Sequence, residues 1–500
     1  MIATVNILEE PRLEFRYGQA LPDPHDGLAI FGPYDADLPA QPRNVNLAVV
    51  GTQTGIERFA AFSKAIASPI ATTSPRPRLW PMFPGFEAVF GAQWPDSPSW
   101  AGVINEAQLD EAARLHDPNR RVYAVVELYL ESMKALQKRD EAFSLIVCVV
   151  PDYVHKNCRA LSRVTDAVGE RVTESQLVQR RAGQLEMFER WDPNTYDYSL
   201  DFRNQLKARA MAIGIPIQII RESTLQTGEA QSRRELQLTP LADRAWNLSV
   251  TSYYKAGGKP WRLMGARDGV CYVGLAYRRR DPSSDARSAC CAAQMFLDSG
   301  DGVVFLGESG AWYSPERRQF HLDPAAASRL LQGVLATYQQ QHGKPLKEIF
   351  LHCNSGIDRE EFEGFRAGCP PGVNLVAVRV RQEYQGAVKL YREETRPVLR
   401  GTVWQVGDHS GYLWGSGFAL RLRSYPGAET PVPLRIDVQH GDANFSQVAQ
   451  DIFSLTKLNY NACKLGDGEP VTVGFSKAVG EILVSNPAVQ QARPQFKYYI

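Results

Sequence analysis

The sequence lacks a large net charge, a cluster of cysteines and any long hydrophobic run. Its 56 Lys and Arg residues face 55 Asp and Glu residues, so the net charge of +1 gives no global reason to expect a polyanion partner. The eight cysteines are scattered without a C-x-x-C pair, which supports neither a zinc ribbon nor a disulfide framework. Apolar runs such as Leu145–Val150 are too short to cross a bilayer. Residues 1–12 carry Glu9 and Glu10 and no apolar signal segment, so we expect a cytoplasmic protein.

The first half of the chain alternates between strand-like and helix-like segments. The apolar run at 143–150 ends at a proline and predicts a strand buried on both faces. Residues 200–213 have helical spacing, a short strand is predicted at 217–220, and a helix at 240–254 ends in a Gly-Gly-x-Pro stop. This alternation predicts a parallel sheet with helices on its faces, and we place a domain boundary near Lys259.

The second half restarts the pattern with a run of strands. Strands are predicted at 269–277, 303–307, 346–353, 374–380, 401–417 and 434–438, and helices at 324–342, 358–367, 444–456 and 472–484. Strands followed by alternating strand and helix suit a mixed sheet of the RNase H type. Periodicity alone does not separate this arrangement from other α/β folds. With 500 residues, the chain is long enough for two large domains.

Four polar residues of the first half could together bind a phosphomonoester. Arg203 and Lys207 are four residues apart and project from one face of the predicted helix. Gln218 lies on the following strand, and Lys255 lies at the end of the later helix. Cations and an amide donor supply the charge and the aimed donors that a phosphate requires. The spacing also fits a solvated helix face for the first pair, and a cation that complements a helix dipole for Lys255.

The same residues carry a resemblance to a known family. The path from Arg203 through KARAMAIGIPIQIIRES to LADRAWNLSVTSYYKAGGKPWRL resembles the MID domain of Argonaute proteins. The resemblance implies that Arg203, Lys207, Gln218 and Lys255 bind the 5′ phosphate of a guide strand. In that family the terminal carboxylate reaches the same pocket and helps to hold a divalent cation. Ile500 is therefore expected to supply a carboxylate for Mg²⁺, unless the apolar end of the chain is simply packed on the surface.

The resemblance extends along the chain. EEPRLEFRYGQALPDPHDGLAIFGPYD resembles the linker that leads into MID in prokaryotic Argonautes, DGVCYVGLAYRRR resembles the first PIWI strand, and FSLTKLNYNACKLGDGEPVTVGFSKAVGEIL and QFKYYI resemble the PIWI C-terminal region. It implies an α/β chain with a linker-like segment at 1–45, a Rossmann-like MID domain at 46–258 and an RNase H-like PIWI domain at 259–500. The N and PAZ domains of long Argonautes are missing from this pattern, as in short prokaryotic Argonautes.

The acidic residues with which slicing Argonautes hold their metals are not evident. Ala276 falls at the first acidic position, on a strand without Asp or Glu, and Asn354 falls where a second Asp belongs. Asn459-Tyr460-Asn461 stands near the last position. Glu308 overlies the mobile acidic position, but one carboxylate cannot organise two metals. We therefore predict no slicing activity; a shifted register that brings in Asp268 or Asp281 is the alternative.

The resemblance implies a guide-binding subunit of a prokaryotic immune complex. The expected ligands are a small 5′-phosphorylated RNA guide and a complementary single-stranded DNA target. The expected partner is an effector with an Argonaute-associated N/PAZ-like (APAZ) domain, commonly of the TIR or sirtuin-like type or a nuclease. A TIR or sirtuin-like effector would deplete NAD when a target is recognised and arrest the infected cell. Two alternatives stay open: an active guide-directed nuclease, and an α/β enzyme that binds a phosphorylated small molecule.

Overall fold

The fold is that of a computed structural model. It describes residues 4–72, 74–139, 141–182, 192–228, 239–279, 289–296, 302–314, 319–341, 345–383, 388–394, 396–486, 493 and 495–500. Within these ranges the side chains of residues 278–279, 289–296, 302–314, 319 and 341 are not described. Asp281 and the side chain of Glu308 thus lie outside the described residues, and the predictions that rest on them stay predictions.

The first 45 residues pair with elements of the second half of the chain. Their elements are β1 (Thr4–Ile7), β2 (Leu13–Glu14), β3 (Ala20–Leu21) and α1 (Pro24–Phe31). β1 joins the edge of the large second-half sheet, and β2 pairs antiparallel both with β3 and with a strand at Arg262–Leu263. The segment predicted as a linker therefore contains regular structure, which its proline and glycine content did not indicate.

The next part is a parallel α/β unit. Its strands are β4 (Leu47–Gly51), β5 (Trp100–Val103), β6 (Leu145–Val150) and β7 (Ile217–Arg221). Its helices are α2 (Gln53–Ile66), α3 (Phe86–Phe90), α4 (Glu106–Ala113), α5 (Pro118–Lys134), α6 (Asp152–Asn157), α7 (Glu174–Arg181), α8 (Phe202–Ala210) and α9 (Leu241–Lys255). The strands lie in the order β5-β4-β6-β7 and every neighbouring pair is parallel, as predicted.

Strand β6 is buried on both faces, which confirms the prediction made from its apolar run. Leu145, Val147 and Val149 pack in the cluster that contains Phe59 of α2, and the alternate residues pack in the cluster that contains Phe202 of α8. Side chains alternate across a strand, so six apolar residues in a row are needed to fill both layers. The short strand β5 was not predicted, because exposed and buried positions are mixed over its four residues.

The second half is built on a mixed sheet. The second-half strands of this sheet are β9 (Val270–Arg279), β10 (Ala289–Phe296), β11 (Gly302–Ser314), β12 (Gln319–Leu322), β13 (Glu348–Cys353), β14 (Asn374–Gln382), β15 (Thr402–Gly407), β16 (Ser410–Leu413) and β17 (Leu434–His440), whereas β8 (Arg262–Leu263) belongs to the small sheet with β2 and β3. The helices of this half are α10 (Pro324–Gln341), α11 (Arg359–Gly368), α12 (Phe445–Leu455) and α13 (Val471–Leu483). Over the described ranges the order is β1-β15-β16-β17-β14-β13-β9-β10-β11-β12, and β9, β13 and β14 are parallel neighbours.

Helices cover both faces of this sheet. Val273 of β9 packs in the cluster that contains Leu330 and Phe365 of α10 and α11. On the other face α13 lies directly on β9: a Cβ added to Gly274 would stand 2.0 Å from the main-chain oxygen of Thr472. Only glycine allows this close approach. The contact fixes α13 beside the carboxyl end of β9.

The two halves share a core and a buried ion network. The largest hydrophobic cluster contains side chains from both halves, including Trp246 and Tyr460. The guanidinium of Arg400 donates to Glu10 and to Thr456 Oγ1 at 2.7 Å, and the buried Lys457 ammonium donates to Glu10 Oε1 at 2.9 Å. One carboxylate of the N-terminal segment thus neutralises two second-half cations.

Candidate functional site

The predicted cations of helix α8 lie at the junction of the two halves. The Asp201 side chain caps the helix by accepting the main-chain N–H of Asn204 at 3.0 Å. Arg203, one turn before Lys207, is exposed at the outer end of the helix face. Lys207 is 3% exposed and points inward. The helix therefore presents one cation to solvent and one to the interior.

Two buried lysines meet at the last residue of the sequence. Lys207 Nζ donates to the Ile500 main-chain oxygen at 2.6 Å and to the Tyr499 oxygen at 2.9 Å. Lys255, which is 0% exposed at the end of α9, donates to the same Ile500 oxygen at 2.6 Å. It also donates to Gln218 Oε1 at 2.6 Å and to the Ile217 oxygen at 2.7 Å. The predicted residues Lys207, Gln218, Lys255 and Ile500 are thus in direct contact, and we call these four with Arg203 the lysine cluster.

Burial makes the two ammonium groups poorly solvated. It lowers the pKa of Lys255 to about 7 and the pKa of Lys207 well below its usual range, and the positive charge of Arg203 lowers both further. The Ile500 oxygen acts in the opposite direction, because an acceptor at 2.6 Å favours the charged ammonium. Cys148 lies behind the lysines, and burial raises the pKa of its thiol to about 12. The lysine cluster is therefore rich in donors and short of negative charge.

The end of the chain is anchored in this junction. Phe496, Tyr499 and Ile500 are all buried, and Phe496 packs edge-on against Phe475 of α13 with ring centroids 5.0 Å apart. The Tyr498 hydroxyl donates to the Gly214 oxygen just after α8 at 2.9 Å. The apolar ending is thus packed between the halves instead of on the surface, which places Ile500 on the lysines. Sequence reasoning missed the contribution of the Tyr499 main-chain oxygen, which no side-chain pattern signals.

A cavity of about 460 Å³ opens beside the lysine cluster. Arg203 and Gln218 line it, and its walls also include Arg221 and apolar side chains such as Phe202 and Leu248. A pocket of this size, lined by both apolar and polar side chains with several arginines among the latter, suits a small ligand that carries a charged group. The cavity and the lysine cluster meet at Arg203 and Gln218.

A second cavity, of about 300 Å³, contains both predicted degenerate positions. Ala276 of β9 and Asn354, just after β13, line it together. We call it the sheet-end cavity; its remaining lining residues are Leu275, Tyr277, Phe320, Ser355, Arg379, Val473, Ser476 and Lys477. None of the described lining residues is an Asp or Glu, and in the same part of the chain no group of three or more His, Cys, Asp or Glu could hold a metal ion.

Two other segments do not lie where the family resemblance suggested acidic positions. Asn461 lines the cavity beside the lysine cluster, so the segment Asn459–Asn461 does not supply a position of the sheet-end cavity. The residues of α13 take that place, because the helix lies on β9. Asp268 precedes β9 and faces Lys347 at 3.7 Å, at the opposite end of the strand from Ala276. A shifted register therefore does not bring Asp268 into the sheet-end cavity.

Solved structures share this fold, although no family model and no curated protein matches the chain. The structure of Clostridium butyricum Argonaute bound to a guide DNA and a 19-mer target DNA matches with a TM-score of 0.64 and 13% identity, over 97% of this chain and 53% of that one. Aa-Ago with externally bound siRNA matches with a TM-score of 0.59 and 13% identity, over 99% of this chain and 56% of that one.

These similarities define the fold of the chain. It is a mixed α/β fold like the MID–PIWI part of Argonaute proteins, as predicted from the sequence. The chain spans just over half the length of either solved structure. No helix in the described ranges is long and apolar enough to cross a membrane.

Proposed function

We propose that this chain binds a small 5′-phosphorylated RNA guide and, through the guide, a complementary single-stranded DNA. The observation that carries the proposal is the convergence of Lys207 and Lys255 on the Ile500 oxygen beside a ligand-sized cavity, with Gln218 Oε1 accepting from Lys255. A terminal phosphate carries about two negative charges, which the two desolvated ammonium groups can neutralise by exchanging one of their present oxygen acceptors for it. The first nucleotide would occupy the adjacent cavity. Base pairing, not side-chain contacts, would then select the target.

The lysine cluster also offers oxygens that suit Mg²⁺. The Ile500 oxygen and Gln218 Oε1 both contact Lys255 Nζ at 2.6 Å, so they lie close to each other, and Mg²⁺ prefers oxygen ligands. Two adjacent ammonium groups disfavour a divalent cation by itself. Phosphate oxygens of a bound guide would supply the missing negative charge. In this proposal the Ile500 oxygen holds the ion only together with the guide.

The chain is proposed to sense a target without cutting it. Two-metal hydrolysis needs converging carboxylates, and Ala276 and Asn354 stand in the sheet-end cavity where such groups would be required. Recognition would then have to be reported by another protein. We propose a heterodimer with an APAZ-containing effector of the TIR or sirtuin-like type. Target binding would trigger NAD depletion by the effector. The complex would act in the cytoplasm as an antiphage defence that ends in abortive infection. This part rests on the family resemblance.

The binding proposal is tested with oligonucleotides that differ only at the 5′ end. Fluorescence anisotropy would compare a labelled RNA guide with a 5′ phosphate and the same RNA with a 5′ hydroxyl. A phosphate held by two charge-assisted contacts should favour the first RNA by ~10-fold or more. Equal affinities, together with binding of a phosphorylated small molecule, would instead favour an α/β enzyme.

The partner is tested by co-expression with the neighbouring open reading frame. A single size-exclusion peak that contains both chains, and NAD loss that requires both guide and matched DNA, are expected. Two separate peaks would contradict the heterodimer and leave the guide-binding proposal standing.

A further inference from the structure

Strand β1 forms an unprotected edge of the large mixed sheet. It lies at one end of the strand order, and among the residues that the structure describes β15 alone pairs with it. All four residues of Thr4–Ile7 are exposed, and none of them is charged or a proline. Edge strands are usually protected by charges, prolines, bulges or a covering element, because free main-chain groups attract further strands. The edge at β1 carries none of the first two protections.

The hydrogen bonds to β15 identify the main-chain groups of β1 that point outwards. The Leu8 main-chain N–H donates to the Gly401 oxygen at 2.9 Å, in continuation of the register of β1 and β15. In an antiparallel pair, every second residue directs both its N–H and its C=O to the partner strand. Val5 and Ile7 lie an odd number of positions from Leu8, so their main-chain groups point away from β15. A further strand could bond to all four of these groups.

An apolar strip follows this edge on one face of the sheet. The side chains of Val5 and Ile7 are 59% and 60% exposed. Val5 lies opposite Trp404 of β15, which lies opposite Tyr412 of β16, and the two aromatic rings stack with centroids 5.5 Å apart. Directly opposite residues share a face, and both aromatic residues are partly exposed. We call these four residues the apolar strip; its Trp and Tyr are of the types enriched at the centres of protein interfaces.

A cavity of about 570 Å³ lies at the end of β1. Ile7 and Leu8 line it together with Leu420, which is 70% exposed. Further apolar lining residues are Ala20, Leu21, Pro22, Leu399, Ala419 and Leu465. A strand that pairs with β1 and runs on past Ile7 would bring a side chain to this cavity.

The length of β1 decides which occupant fits. A four-residue strand is about 14 Å long, and beyond it the chain leaves the edge, because Glu10 reaches the buried ion network of Arg400. Symmetric pairing with β1 of a second copy would join four residues of each chain. Stable interfaces contain about 20–30 residues on each side. A longer extended segment of a different protein could pair with β1, cover the apolar strip and fill the cavity.

We propose that the edge of β1 binds an extended segment of the partner protein, which continues the sheet and places apolar side chains on the apolar strip and in the cavity. The inference rests on the proposed heterodimer and names the surface of this chain that the partner covers. Main-chain hydrogen bonds supply affinity in complexes formed by strand addition, and side-chain pockets supply specificity. The β1 edge offers both.

Proline at an outward-pointing position tests the strand addition. Val5→Pro and Ile7→Pro each remove an N–H that points away from β15 and leave the hydrogen bonds to β15 in place. Biolayer interferometry would measure the dissociation constant for the product of the neighbouring open reading frame. Each variant should raise it by roughly 2–13-fold, as expected for one lost hydrogen bond. Val5→Thr keeps the N–H and nearly the same shape, and should raise it less than Val5→Pro.

A charge tests the apolar strip. Val5→Asp should weaken the complex by ~10-fold or more, because it places a carboxylate against apolar groups. Val103→Asp is the matched control, since Val103 is 57% exposed on β5 at the edge of the first-half sheet, and it should bind like wild type. Residue-resolved amide hydrogen exchange needs no substitution: the N–H groups of Val5 and Ile7 should exchange more slowly in the complex than in the free chain. Guide affinity should be the same in all variants.

Unchanged affinity in both proline variants, or amides of Val5 and Ile7 that exchange equally fast with and without the partner, would overturn the proposal and leave the heterodimer standing. If wild type and the neighbouring gene product elute as separate peaks, the heterodimer and this proposal fail together, and the 5′-phosphate preference shows whether guide binding survives. A dimer of the chain alone that Val5→Pro dissociates would identify a second copy as the occupant and would also overturn the proposal.

Discussion

Replacing Lys207 with methionine should remove much of the preference for a 5′ phosphate while keeping the shape of the side chain. Lys207 Nζ makes its two hydrogen bonds to main-chain oxygens of Tyr499 and Ile500, at 2.9 and 2.6 Å. A hydrogen bond to a charged group contributes roughly 1.5–3 kcal/mol, so loss of one phosphate contact should weaken binding of the 5′-phosphorylated guide by ~10–150-fold. The 5′-hydroxyl guide lacks this contact and should be nearly unaffected.

The corresponding Lys255→Met variant tests the same phosphate from the other side. It also leaves Gln218 Oε1 and the Ile217 oxygen without the Lys255 donor, so it should cost more folding stability than Lys207→Met. The two effects on phosphate preference should not add, because both lysines contact one group. Fluorescence anisotropy with both guides gives the ratio of dissociation constants for each variant. Lys64→Met, at an exposed position near the end of α2, controls for total charge.

The reasoning would be refuted by a folded Lys207→Met protein that keeps the wild-type ratio of affinities for phosphorylated and unphosphorylated guides. Thermal melting of each variant identifies unfolded preparations before binding is measured. A ratio that falls equally in Lys64→Met would show that the preference follows total charge and not the lysine cluster.

Three further predictions concern charge, pH and cleavage. Arg400→Met should destabilise the chain by about 3–5 kcal/mol, because it removes one of the two cations that neutralise Glu10 and leaves the main-chain oxygens of Gly415 and Asp467 without this donor. The exposed Arg396→Met should leave the melting temperature unchanged, and equal melting of both variants would contradict this. The pKa of Lys255 is about 7 and a bound phosphate raises it, so binding takes up a proton and the 5′-phosphate preference should fall as pH rises from 7 to ~9. A constant preference over that range, by anisotropy, would mean that Lys255 stays charged. With Mg²⁺ or Mn²⁺ the guide-loaded chain should leave a matched DNA intact on a gel; cleavage at one position would restore the nuclease alternative.

Local patterns predicted the parts of the molecule that depend on neighbouring residues. The six apolar residues of Leu145–Val150 could only belong to a strand with both faces covered, and the structure places them so. Arg203 and Lys207 share a helix face because they are four residues apart. Arg203 is exposed and Lys207 is buried because different elements pack on the two ends of that face, which the spacing does not indicate.

Contacts over long sequence separations were outside the reach of such patterns. The contact between Lys207 and Ile500 joins residues 293 positions apart and was expected only through the family resemblance. No pattern brings Arg379 and Lys477 together, because the cavity between them is created by the packing of α13 on β9. The alignment of Asn459–Asn461 with an acidic position failed for the same reason: that segment packs towards α9, where Tyr460 stacks on Tyr254 with ring centroids 4.6 Å apart.

The most direct test of the central claim is a structure of the chain bound to a 5′-phosphorylated RNA guide and its complementary DNA. We expect the terminal phosphate within hydrogen-bonding distance of Lys207 Nζ and Lys255 Nζ, with the first base in the cavity lined by Arg203 and Gln218. A guide whose 5′ phosphate lies away from both lysines would contradict the account.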